Sequence, residues 1–332
     1  MGTEQMHIVI VYPGKIPVYK YGGTGRDIWY EGQELTGMGH RVTYLTGAGS
    51  HSPFADVKVY NPVVPVQDQL PDGVDVVHFH FTPREPVKVP YMVTIHGNPG
   101  FGEEIDINTV FVSKDHARRY GSEMFVYNGM DWDDYGAVDL NGRRTHFHFL
   151  GNAAWRVKNL RGAIQVTRMA REQLVVLGGN RLNFRMGFRF TPDRHVRFKG
   201  FVGGEKKFGA MRYSKGLLFP VLWEEPMGLA IIESLYFGAP VFGTPYGSLP
   251  ELVPADAGFL SNSASSLAEA ITQADHYNPT WCHQYATDCF NARVMTENYV
   301  KLFEKVIRGE KLNPVIPSRL LPPDKDRFPW YD

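Results

Sequence analysis

The feature that most constrains this chain is an alternation of short apolar, β-branched runs with helix-spaced stretches, played through twice. "HIVIVYP" (7–13) reads as a buried strand closed by Pro13 and Gly14. "GTGRDIWYEGQELTGMG" (23–39) follows, with Ile28, Trp29, Leu35 and Met38 at helical spacing and Gly39 as a stop signal. "HRVTYLTG", "VDVVHFHF", "YMVTIHG", "NTVFVS" and "EMFVYNG" read as further strands. Strands that are apolar along their whole length, separated by helices, indicate a parallel sheet covered on both faces. The pattern restarts with "HFHFLG", a helix over "NLRGAIQVTRMARE", strands at "QLVVLGG", "HVRFKGFV" and "GLLFP", a helix over "GLAIIESLYFG" and a strand in "APVFGTP". Helices over "SLAEAITQADHY" and "ARVMTENYVKLFEKVIRG" close it. The expected fold class is α/β, with two doubly wound, Rossmann-like domains at 1–143 and 144–310. A Pro-rich tail, 311–332, is expected to pack on the surface near the first. Two such domains imply a cleft at the C-terminal edges of their sheets, where open α/β sheets bind ligands.

Charge marks the same division. The 332 residues balance to zero, yet residues 1–143 hold 11 Lys/Arg against 18 Asp/Glu, and residues 144–220 hold 16 against 3. The second region is therefore either a solvated basic face or an anion site for phosphates. Nucleic acid is disfavoured, because no recognition-helix or zinc pattern accompanies the excess. No run of about 18 apolar residues occurs and no signal-peptide pattern opens the chain, so the sequence reads as cytoplasmic. A peripheral membrane contact through basic spots such as Lys114, Arg118 and Arg119 stays open, and the sequence does not set the oligomeric state. Cys282 and Cys289 are spaced for one helix face, too far apart for a disulfide, and read as buried, inert thiols.

Several groups carry chemistry. Gly22, Gly23 and Gly25 stand between the first strand and first helix, where a bare backbone and a helix start favour an anion or serve turn geometry alone. His78 and His80 alternate on one strand, as do His146 and His148 on another. A zinc site with His96 would need ligands the sequence does not supply, so no metal is assigned. His80 and His96, at strand ends, suit substrate contact better. Arg156 and Lys158 precede a helix, as a diphosphate requires, or belong to the basic face. Gly178 and Gly179 end a further strand. In "EEPMGLAIIESLYFGAP" (224–240), Pro226 keeps Glu225 in the loop, and Gly228 and Leu229 open the helix. Glu233 lies inside that helix among apolar residues, where a carboxylate needs donors from a ligand diol, a backbone amide or an arginine.

"LLFPVLWEEPMGLAIIESLYFGAPVFGTPYGSLPELV" resembles the nucleotide-sugar signature of retaining glycosyltransferases of family 4, two glutamates separated by seven residues. The likeness extends to Gly22-Gly23, "DVVHFH", "TIHG" and "VYNGMD" in the family's order. It implies the GT-B fold, two facing Rossmann-like domains, and transfer of a sugar from a nucleoside-diphosphate sugar to a hydroxyl acceptor, without a metal or other cofactor. It also implies roles. Glu233 would hold the ribose. Arg156, Lys158 and the Gly228-Leu229 amides would hold the diphosphate, and Glu225 the donor sugar. His96 and Gly22-Gly23 would reach the sugar and phosphates from the first domain. Asn152, Gly178 and Gly179 fall on the donor side, and His80 and Asn98 are acceptor-side candidates. Family members commonly carry Gly-Arg where this chain has Gly151-Asn152, so Arg156 is expected to supply the missing cation. The base, the sugar and the acceptor (a glycan, a lipid-linked glycan or a small molecule) stay open. The competing readings are a silent nucleotide-sugar binder, a nucleotide-sugar epimerase and a glycan phosphorylase.

Overall fold

A computed structural model of the chain describes residues 5–18, 22–184, 186–321 and 328–332. It divides into two compact units. The first sheet holds β1 (His7–Tyr12), β2 (Arg41–Thr46), β3 (Asp56–Val59), β4 (Val76–Phe79), β5 (Tyr91–Ile95) and β6 (Thr109–Phe111). Every pairing is parallel and the order is β3-β2-β1-β4-β5-β6. Helix α1 (Gly23–Gly37) connects β1 to β2, and α2 (Lys114–Arg119) follows β6. Ile8, Ile10, Ile28, Leu35 and Val76 lie in one buried cluster, Val9, Val11, Val77 and Phe79 in another. That is the period-two split of a strand buried on both faces.

The second unit repeats this topology. Its sheet contains β7 (His146–Leu150), β8 (Leu174–Leu177), β11 (Val196–Phe198), β12 (Ser214–Phe219), β13 (Val241–Gly243) and β14 (Gly258–Leu260), in the order β11-β8-β7-β12-β13-β14. Helices α3 (Leu160–Met169), α4 (Glu205–Arg212), α5 (Leu229–Tyr236), α6 (Leu249–Leu252), α7 (Ala264–Ile271) and α8 (Pro279–Cys289) belong to this unit. Between β8 and β11 the chain forms a two-stranded antiparallel hairpin, β9 (Leu182–Asn183) and β10 (Arg189–Phe190). Counted within each unit, both sheets follow the doubly wound order 3-2-1-4-5-6. Strand order reverses between β1 and β4, and again between β7 and β12. Loops leaving the carboxyl ends of those strands are where this fold places ligands.

Several details differ from the sequence reading. The units divide at 131/132 rather than 143/144, and residues 290–321, including α9 (Ala292–Ile307), group with the first unit. Tyr299, Val300 and Phe303 of α9 are buried in the same cluster as Ile8 and Ile28, so helical periodicity was legible but its partner sheet was not. The tail is shared: Ser318 and Leu320 bond to Tyr120 and Arg119 of the first unit, whereas Tyr331 bridges Ser263 and Trp330 bonds Gln165 of the second. "EMFVYNG" forms an isolated bridge, Phe111 with Phe125, rather than a strand. Cys282 and Cys289 do share α8, but only Cys282 is buried, which pushes its thiol up to about 12, while Cys289 is exposed. No helix among the described residues is long and apolar enough to cross a membrane.

Candidate active site

At the reversal point of the second sheet, the loop after β7 and the loop after β12 meet in a buried ion pair. Lys158 Nζ donates to Glu225 Oε2 at 2.5 Å, and Trp223 Nε1 donates to the same oxygen at 2.7 Å. Both charged side chains are about nine-tenths buried, at 10% and 8% exposure. The ammonium also lies 4.8 Å from the Trp223 ring and 5.1 Å from that of Phe219, positions of favourable cation–π attraction. Lys158 closes a single 3-10 turn, Arg156–Lys158, before Asn159 in the left-handed region caps α3. Arg156 opens the same turn but is exposed. Of the two expected cations, then, only Lys158 comes to Glu225. Asn152 turns back on its own loop, its Oδ1 accepting from the Ala154 amide at 3.1 Å.

Gly228 starts α5 with φ 80°, a conformation only glycine adopts cheaply, and no side chain caps that end. Its first turn carries no acidic residue. Glu233, on this helix, is 2% exposed. Its Oε1 accepts from Tyr135 Oη at 2.5 Å and from Lys207 Nζ of α4 at 2.6 Å. The protein itself therefore supplies donors to this carboxylate. Its donors come from 98 and 26 residues away in sequence, beyond the reach of local pattern. Gly178 and Gly179 also serve the protein. A Cβ on Gly178 would fall 2.1 Å from the Gly151 carbonyl oxygen, so the bare backbone admits the crossing β7 loop.

The first unit gathers a second buried set at its own reversal point. Glu31 of α1 lies beneath the ends of β4 and β5. Its Oε1 accepts from His78 Nδ1 at 2.6 Å, and its Oε2 is 3.4 Å from His80 Nε2. His78 Nε2 pairs with Thr94 Oγ1 at 2.8 Å and His80 Nδ1 with His96 Nε2 at 2.9 Å. The ring protons follow from the carboxylate. It takes N–H from His78, and a lone pair on His80 Nε2 would be repelled by it. His80 Nδ1 therefore accepts from His96 Nε2–H, and His96 keeps a lone pair on Nδ1. That Nδ1 is buried and has no hydrogen-bond partner among the described residues. Burial raises the Glu31 carboxyl, but the charges and hydrogen bonds of His78 and His80 outweigh it and hold the pKa at about 2. Burial, and then the neighbouring His78, lowers His80 to about 4; burial likewise drives His96 well below its usual range. Glu31, His78 and His80 are also close enough to surround an ion, within 4.8 Å, but the 2.6 Å contact is a hydrogen-bond length.

The other expected residues are local. Gly22 precedes α1 as its N-cap with no side-chain bond, Gly23 opens the helix, and Asn98 Oδ1 accepts from Arg119 Nη1 at 2.9 Å. Arg118 and Arg119 both bind Asp115. In the second unit His148 bonds Ser214 Oγ at 2.7 Å, and its pKa falls to about 3 through burial. The sequence reading missed Glu31, Lys207, Tyr135 and Trp223. Only Glu31 gave a local signal, an acid on the buried side of an amphipathic helix.

The low histidine pKa values fix a pH response. An unfolded histidine takes up a proton below about 6.5, whereas His80 stays neutral down to about 4 when folded. The unfolded chain binds more protons in that window, so stability is full above pH 6.5 and falls as pH drops towards 4. His80 alone accounts for ~3 kcal/mol of this loss. Urea unfolding at pH 7, 5.5 and 4.5 should show the slope, and His80→Asn should flatten it. Equal slopes in the two proteins would reject the assignment.

Comparison with known proteins places this geometry. Residues 144–274 match the family model described as glycosyl transferases group 1. No curated protein sequence matches the chain. Among solved structures, the chain is similar to AviGT4, a glycosyltransferase involved in avilamycin A biosynthesis, at TM-score 0.73 and 19% identity, covering 92% of this chain and 98% of that one. It is similar to the catalytic domain of starch synthase IV from Arabidopsis thaliana bound to ADP and acarbose, at 0.69 and 14%, covering 92% and 100%. HepE of Anabaena, in complex with UDP and glucose, matches at 0.66 and 14%, covering 90% and 100%. The chain thus has the GT-B fold of these glycosyltransferases, and its residues 144–274 match the group 1 glycosyl transferase model.

Proposed function

We propose that the protein is a retaining glycosyltransferase. It moves a sugar from a nucleoside-diphosphate sugar to a hydroxyl acceptor in glycan or polysaccharide synthesis, without a metal. The observation that carries this reading is the Lys158–Glu225–Trp223 cluster at the reversal point of the second sheet, beside the uncapped start of α5. The relatives bound to UDP or ADP support it.

In this reading the hard step is departure of the diphosphate, as the bond from the anomeric carbon to phosphate oxygen lengthens. Lys158 has three N–H donors, and one serves Glu225. The others face the growing negative charge from a buried, already oriented position. Arg156, in place of the arginine that Asn152 replaces, adds a second cation. The acceptor oxygen then bonds the anomeric carbon on the face the diphosphate leaves, and its proton passes to the departing phosphate. Configuration is retained and no separate base is needed. Glu225 accepts from sugar hydroxyls, and a ribose at Glu233 shares the carboxylate with Lys207 and Tyr135; in the first unit, the lone pair of His96 Nδ1 is an acceptor for a hydroxyl. His80 and Asn98 lie on the acceptor side.

The first test is a thermal-shift panel of UDP, GDP, ADP and dTDP with their sugars. A ligand at a hundredfold above Kd adds about 2.7 kcal/mol to the folded state. At least one should raise Tm clearly, and Lys158→Met should remove most of that shift. A panel with no response rejects the donor site.

A further inference from the structure

Beside α3 the second unit carries a cavity of about 230 Å3, lined among others by Trp155, Arg156, Asn159, Arg161, Phe188 and Arg189. Lys158, Glu225, Gly178 and Gly228 do not line it; of the proposed donor residues only Arg156 does. Two of the lining residues carry buried donor nitrogens with no partner among the described residues: Arg189 Nε, Arg189 Nη1 and Asn159 Nδ2. The side chains carrying them are nonetheless fixed. Arg189 Nη2 donates to the Asn180 carbonyl at 3.1 Å, and Asn159 Oδ1 accepts from the Gly162 amide at 3.0 Å as the N-cap of α3. Asn159 is only 9% exposed.

The charges point the same way. Burial, and then the nearby charge of Arg161, holds the Arg189 guanidinium below its usual range. Neither arginine pairs with a carboxylate among the described residues, and the first turn of the ten-residue α3 carries no acid. Buried donors without acceptors and like charges without a counter-ion are each unfavourable, and both are relieved by one bound anion. The N-terminal end of α3 adds its dipole. The donors lie on two edges of a guanidinium and on a separate amide. That spread suits the several oxygens and double charge of a phosphate better than a flat carboxylate. Trp155 and Phe188, exposed at 38% and 67%, give an apolar wall beside the polar floor.

We propose that this cavity binds an organic phosphate, its head held by Arg189, Arg161 and Asn159 and its carbon skeleton against Trp155 and Phe188. The site stands whether or not the donor reading holds. A phosphate of this kind reaches the cavity either as a soluble phosphomonoester or as a lipid headgroup, and two probes separate these sources. Glycerol 3-phosphate is titrated by calorimetry. Phosphatidylcholine vesicles with and without phosphatidic acid are tested by co-sedimentation. Two variants of the full chain accompany them: Arg189→Met removes the charge, and Asn159→Asp keeps the helix cap while replacing the amide donor by a repelling carboxylate.

The expected result is saturable binding of at least one probe, weakened at least tenfold by each variant, with Asn159→Asp melting no lower than the parent. Nucleotide-induced Tm shifts should persist in both variants. Failure of both probes overturns the proposal, as does binding that survives both substitutions. Glycerate binding as tightly as glycerol 3-phosphate overturns the phosphate assignment. A loss of nucleotide response in every protein, parent included, bears on the donor site alone.

Discussion

Glu225→Ala should unfold about 3–5 kcal/mol more easily than the parent and should release no nucleoside diphosphate from any donor. Lys158 is 10% exposed, and Glu225 is its counter-ion at 2.5 Å. Removing the carboxylate leaves a largely buried ammonium without its counter-ion, against the Trp223 and Phe219 rings. Lys158→Met is the mirror experiment, with a carboxylate left behind. It should lower kcat/KM by about 10²–10³-fold, the usual effect of losing one oriented donor to a developing charge. The two roles separate in the double variant Lys158→Met/Glu225→Leu. Well-packed apolar side chains in place of a buried pair restore stability, so this protein should regain most of the loss while remaining inactive. Urea unfolding followed by a nucleoside-diphosphate release assay reads both quantities. If Glu225→Ala melts with the parent, the pair is screened by water. If the double variant turns over, the cluster is not the catalytic one.

Glu31→Leu should cost ~3 kcal/mol near neutral pH, and the cost should shrink in acid. The folded carboxyl titrates at about 2 against an ordinary 4.5, a difference of that order in free energy. A depressed carboxyl stabilises the fold above its unfolded pKa, and this contribution is lost as pH falls from 4.5 through 2. Parent and variant should therefore differ most above pH 4.5 and converge below it. A difference independent of pH would mean that Glu31 acts by packing alone. The substitution also removes the group that orients His80 and, through it, His96. Ring 15N spectra of the variant should accordingly show His96 sharing its proton between Nδ1 and Nε2, where the parent shows Nε2–H only.

Much of this molecule is legible in one dimension because β-branched runs and helical periodicity are local. Ile8 and Ile10 in one cluster and Val9 and Val11 in another are already implied by "HIVIVY" as a strand covered on both faces. The segment 224–240 announces its loop and helix through Pro226 and Gly228, and its acids through their contrast with the residues around them. Short elements faded where local pattern was ambiguous. "EMFVYNG" has the composition of a strand but makes only one bridge, and the β9–β10 hairpin sits where no strand signal stood out.

The sequence by itself determined the two α/β units, the acids at 225 and 233 and the basic character of residues 144–220, since each depends on composition or spacing along the chain. Only the tertiary structure decided what those charges touch. It gave Glu225 to Lys158 and Trp223, Glu233 to Lys207 and Tyr135, and Glu31 to two histidines, and left Arg189 and Asn159, which line a cavity, with unpartnered donors. The physical reason is one of range. Propensity and periodicity act over a few residues, whereas a buried charge is satisfied by whichever group the fold brings within 3 Å, however distant in sequence.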